Sequence, residues 1–156
     1  MAATLTVIHA LHLLATLAMT GLIWFVQLVH YPMMALISAE GFCAYERDHM
    51  RRTTWVVAPL MLIELTTAVA LAALAFMGDS TAAAQALAIG GLALLAIIWI
   101  STAMLQVPCH RRLCNGRCDA TISRLVRTNW LRTAAWTLRS VVAIAMFVLA
   151  LNGAAA

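Results

Sequence analysis

Four long apolar runs dominate this chain: about Leu5 to Tyr31, Thr53 to Met77, Ala84 to Val107 and Trp130 to Leu151. A bilayer core about 30 Å thick takes about 20 apolar residues to cross as a helix, and each run is long enough. No charged residue precedes Glu40, the second run is broken only by Glu64, the third has no charge, and the fourth carries Arg132 and Arg139. Barrel strands would be about ten residues long and strictly alternating, unlike these Leu- and Ala-rich runs. A helix satisfies its own backbone in lipid. The pattern therefore predicts an all-α integral membrane four-helix bundle. It forms a single transmembrane domain over residues 1–156, with helices at about 5–31, 53–77, 84–107 and 130–151 and cytoplasmic loops at 32–52 and 108–129. The first run has no basic start and exceeds a signal-peptide core, so it is expected to be retained.

Composition agrees: 64% of residues are hydrophobic and 10% charged, against about a quarter charged in a soluble domain. That excludes a soluble globular enzyme, a disordered chain and a nucleic-acid reader. The net charge of +4 comes from ten Arg and no Lys, all between Arg47 and Arg52 or between Arg111 and Arg139. The positive-inside rule then places both Arg-rich loops in the cytoplasm and both termini outside, with anionic lipid as a further contact. Heavy Ala and Arg use points to a GC-rich bacterial genome, hence a bacterial inner membrane. Cys43, Cys109, Cys114 and Cys118 fall in the cytosolic loops, where thiols stay reduced.

The halves echo each other. Arg52-Thr53-Thr54-Trp55 opens the second helix and Arg127-Thr128-Asn129-Trp130 the fourth. The first helix ends with Gln27, His30 and Pro32, the third with Gln106, Pro108 and His110. The same offset carries Glu64 onto Arg139. Two like-oriented hairpins around an axis along the membrane normal would produce this, with a site at the repeat interface; two ordinary hairpins with interfacial Trp anchors would as well. Glu64 and Arg139 lie roughly 16 and 13 Å deep at 1.5 Å per residue. A lone charge there costs at least ~2.5–3.5 kcal/mol, so the two are expected to pair inside the bundle. They serve there as a proton relay, a substrate anchor or a register-fixing ion pair. Pro59 frees a backbone carbonyl and predicts a kink beside Glu64.

His30, His49 and His110 fall at one level, and Glu46-x-x-His49 shares a helix face. Such a set suits a transition metal (iron, zinc or copper), with His30, Glu46, His49 and His110 as ligands. Alternatively, His30 and His110 could ligate haem. His9 and His12 lie at the other end and read as polar packing contacts or a separate outer pocket. Arg132, Trp136 and Arg139 follow i, i+4, i+7 spacing along the fourth helix. With Gln27, Tyr31, Gln106, Asn129 and Trp130 they suggest a pocket for a hydrophobic or aromatic small molecule, Arg132 meeting an anionic or carbonyl group.

The stretch from Gln106-Val107-Pro108 through His110-Arg111-Arg112-Leu113 to Asn129-Trp130-Leu131-Arg132-Thr133 resembles the small four-helix membrane proteins of the anthrone-oxygenase-like family. In that family a Pro-containing end of the third helix and an Asn/Trp-x-Arg segment opening the fourth recur. The resemblance covers the last third of the chain. It implies oxidation of an aromatic or polycyclic substrate, with Asn129, Trp130 and Arg132 at the site. The expectation is a membrane-bound oxidoreductase with Glu64, Arg139 and Arg132 as working groups. The alternative is a non-enzymatic subunit, assembly factor or small transporter component. A homo-oligomer fits the sequence equally well, since a pocket between hairpins and one between protomers look the same.

Overall fold

The computed structural model describes residues 2–78 and 80–154, and Asp79, in the turn expected between the second and third helices, lies outside them. Helix α1 runs as α-helix over Ala2–Phe25, widens into a π-helical segment Val26–His30 and closes with a turn Tyr31–Met34. Helix α2 spans Ala39–Met77. Helix α3 repeats the plan of α1, with Ala82–Ser101, a π-helical segment Thr102–Gln106 and Val107–Leu113. Helix α4 spans Asp119–Ala154. All four are long and apolar enough to cross a membrane.

The expected helix limits were too short. Residues 39–52 and 119–129, expected as loop, are helical, and among the described residues the Arg-rich end keeps only the short connections 35–38 and 114–118. Hydropathy marks where the bilayer ends, not where the helix ends. At 1.5 Å per residue, α2 is roughly 58 Å long, about twice the hydrocarbon thickness. Its polar extension is braced on its own surface by Asp48, which accepts from Arg51 at 2.5 Å and Arg52 at 2.7 Å. Pro59 sits inside the continuous α2.

Pro32 and Pro108 explain the π segments. A proline cannot donate to the carbonyl four residues back, and its ring clashes with it. Those carbonyls belong to Leu28 and Met104, inside the two π segments. The wider turn opens that contact and lets both helices run on through proline. The ladder there is five-residue: Tyr31 N–H donates to the Val26 carbonyl, and Val107 N–H to that of Thr102.

The outside is apolar and the interior mixes apolar and polar side chains. Leu14, Leu28, Leu62, Ile100 and Val141 are each more than half exposed, facing the lipid. On α4 the buried stripe is Leu125, Asn129, Arg132, Thr133, Trp136, Arg139, Ser140 and Ala143, which is one helical face. Apolar packing fills between: Tyr31, Met34, Phe42, Leu113 and Leu125 at the Arg-rich end, Met19, Ile23, Met61, Ile98 and Trp136 at mid-bundle. At the far end Ala72, Ala75 and Ala88 pack together. Arg117 ties the two Arg-rich connections, donating to the carbonyls of Ile37 and, at 2.9 Å, Ala35.

Candidate functional site

Two buried polar clusters sit at different depths. In the deeper one, Glu64 is fully buried and accepts from Arg139 Nε at 2.6 Å, Thr16 Oγ1 at 3.0 Å and Trp136 Nε1 at 3.1 Å. Arg139 Nη1 also donates to the Gly91 carbonyl. The opposite charges expected to pair do so, with hydroxyl, indole and carbonyl groups around them, while Arg139 Nη2 is buried without a partner. His12 lies beyond, its Nδ1 2.9 Å from Thr67 Oγ1, a packing contact.

The second cluster occupies the Arg-rich half. The Tyr31 hydroxyl is 3.0 Å from His110 Nε2, and His110 Nδ1 is 2.5 Å from Glu46 Oε1. Glu46 is fully buried. His49 lies against this chain, its ring centroid 5.4 Å from that of His110 and 4.2 Å from that of His30, stacked on the latter. The three helices that carry these residues meet because the π segments shift the phase of α1 and α3 just before Tyr31 and His110.

Between the clusters lies a cavity of about 320 Å³, at the lower end of the 300–1,000 Å³ usual for small-molecule sites. Its walls are mostly apolar, including Ile23, Val57, Ala58, Met61 and Trp99; its polar groups include Tyr31, His49, Gln106, His110 and Arg132. The Thr102–Gln106 segment packs on α4 and stands off from α2. Leu62, a cavity residue on α2, is half exposed on the outer surface. All four helices contribute to its lining.

Arg132 is 6% exposed and lies over the Trp136 ring, 5.1 Å from its centroid. Its Nη1 donates to Asn129 Oδ1 at 3.2 Å, and Asn129 Nδ2 donates to Gln27 Oε1 at 2.9 Å. Gln106 is held by Ser101 across the π turn and donates to Thr128. Gln27 and Asn129 thus stand behind the cavity wall and position Arg132, while Tyr31 and Gln106 form the wall.

Trp130 is not brought to this cluster. It is 47% exposed and packs edge-on against Trp24, 5.8 Å away. One residue past Asn129 it is turned about 100° around the helix, toward lipid.

The four expected metal ligands come together only in part. Among the described residues, no group of three or more His, Cys, Asp and Glu converges in a metal-holding geometry. Both ring nitrogens of His110 are engaged, and His30 stacks on His49. His30 Nε2 and Glu46 Oε2 are nonetheless buried without a partner. All four cysteines are free thiols. Sequence reading missed the π segments; a proline six residues after the start of each was the available signal.

Fold and site together define a multi-pass membrane protein whose helical bundle is apolar outside and holds buried polar clusters within. No known protein family matches the chain, and no curated protein and no solved structure matches it either.

Proposed function

We propose that the protein binds an aromatic or similarly amphipathic small molecule in the cavity and moves a proton on it, as the acid–base half of an oxidoreductase-type reaction. One observation carries this: the Tyr31–His110–Glu46 chain, two of whose members line a mostly apolar cavity. A hydroxyl backed by an imidazole and a buried carboxylate is a general acid–base assembly: the imidazole exchanges the proton and the carboxylate stabilises its charged form. The Tyr31 hydroxyl would meet a ligand oxygen. Glu64 and Arg139 hold the bundle beneath. The likeness of the last third of the chain to the anthrone-oxygenase-like family supports an aromatic ligand. The clustering of arginine at one end supports both termini lying outside the cytoplasm, and the heavy use of Ala and Arg supports a bacterial inner membrane.

The test is organic extraction of protein purified from its native membrane, followed by mass spectrometry, for wild type, His110→Gln and Tyr31→Phe. The wild type should carry a small aromatic amphiphile, and both variants should retain it in a different product-to-substrate ratio. Identical ratios in all three would overturn the proton-transfer role.

A bound metal is the second reading. The two unpartnered buried atoms, His30 Nε2 and Glu46 Oε2, support it, with His49 as a third donor and His110 released from Tyr31. Elemental analysis for iron, zinc and copper decides it. Stoichiometric metal in wild type, lost in His49→Ala, would establish this reading, and metal-free protein purified without chelator would end it.

A further inference from the structure

Arg132 is a buried cation without a carboxylate. Among the described residues, the other arginine buried in the bundle, Arg139, pairs with Glu64, and Arg51, Arg52 and Arg117 pair with Asp48 and Asp119, but no carboxylate lies within ion-pair distance of Arg132. Its side-chain neighbours are the neutral amide of Asn129, to which Nη1 donates at 3.2 Å, and the Tyr31 hydroxyl, and its Nε is buried without a partner. A second cavity residue shows the same deficit, since Trp99 Nε1 is also buried and unpartnered. Both orphaned groups are donors. An uncompensated guanidinium in an apolar wall is strongly disfavoured unless something supplies the opposite charge. The Trp136 face beneath it offsets part of that cost but accepts no hydrogen bond along the guanidinium plane.

We infer that the cavity selects an acid: an amphiphile whose carboxylate docks on Arg132 and Trp99 while its apolar body lies against Ile23, Val57 and Met61. The inference rests on the reading of the cavity as a small-molecule site and adds the charge class of its occupant. A guanidinium offers paired donors that match the two oxygens of a carboxylate. A space of about 320 Å³ is large enough for a one- or two-ring acid. The cavity residue Leu62 is half exposed on the outer, lipid-facing surface, where amphiphilic acids concentrate. The Tyr31 hydroxyl adjoins the guanidinium, so the carboxylate would anchor the ligand beside the proton-transfer chain.

The experiment compares naphthoate with naphthylmethanol, equal in shape and different in charge, on the full chain in neutral detergent. Wild type should bind the acid at least tenfold more tightly than the alcohol. Arg132→Gln should abolish that preference while its melting temperature stays near that of wild type, which shows that the bundle is folded. Arg132→Lys should keep part of the preference. Equal binding of acid and alcohol by wild type, or a preference that survives in Arg132→Gln, would overturn the inference and leave the cavity reading standing. Failure of both probes to bind would overturn both. Displacement of naphthoate by phosphatidylglycerol added to the micelles would assign the anion site to a lipid headgroup and equally overturn it.

Discussion

Glu46 and His110 lie 64 positions apart in sequence and meet at 2.5 Å, carboxylate Oε1 to imidazole Nδ1. A carboxylate only accepts, so Nδ1 carries a proton; in the neutral ring Nε2 is left to accept from the Tyr31 hydroxyl. Glu46 thus sets the tautomer in which His110 can take a proton from the cavity side. Glu46→Gln offers a donor and an acceptor and should release that constraint. Nitrogen NMR of labelled His110 should then change from one Nδ1-protonated form to a mixture. An unchanged spectrum would show that Glu46 does not govern the ring.

Removal of either member of the deeper pair leaves a buried charge alone. Glu64→Gln and Arg139→Gln should each lower stability by about 3–5 kcal/mol. The double variant should recover much of the loss, because no charge is then unpaired. Unfolding in mixed micelles measures the cycle, and strict additivity would mean that the pair contributes no coupling.

Gly91 gives its carbonyl to Arg139, and a methyl at its Cα would stand 3.5 Å from both Arg139 Nη1 and Val142 Cγ1. That is ordinary contact distance. Gly91→Ala should change stability by under about 1 kcal/mol, whereas Gly91→Leu must displace Arg139 and cost about 1–3 kcal/mol or more. Thermal unfolding of the two variants checks the contrast.

Two thiols in the second Arg-rich connection differ in reactivity. Hydrogen bonds from Thr121 hold the Cys118 thiol below its ordinary pKa, while burial pushes that of Cys114 up. Thiolate is the nucleophile, and its fraction rises as pH passes the pKa. Cys118 should therefore react with a maleimide faster at neutral pH, and its rate should rise at lower pH than that of Cys114. In intact spheroplasts an impermeant maleimide should leave both untouched until the membrane is opened. Labelling from outside would reverse the proposed orientation.

Depth and charge were legible in the sequence. Glu64 and Arg139 could be matched because each lone charge in lipid demands a partner, and only one of opposite sign lay at that level. The gathering of His30, His49 and His110 at one end followed from helix direction alone. Helix ends were not legible: once a helix leaves the bilayer, ion pairs such as Asp48 with Arg52 sustain it and hydropathy no longer reports it. The path of α1 and α3 through Pro32 and Pro108 was hidden too, because proline reads as a stop and the π turn that relieves it has no periodic signature. That phase shift decides which side chains meet, so the contact of Tyr31 with His110 had to come from the structure. Trp130 shows the converse limit: proximity to Asn129 along the chain says nothing about sharing its face.

The claim that the interior of this bundle is a small-molecule site is tested most directly by blocking the cavity and leaving its polar groups alone. Ala58 lines the wall on α2 and is partly buried, so Ala58→Phe fills the space. Binding of neutral naphthylmethanol, followed by tryptophan fluorescence, should be saturable in wild type at one site per chain. It should weaken at least tenfold in Ala58→Phe at an unchanged melting temperature. Equal binding by the two proteins would contradict the account.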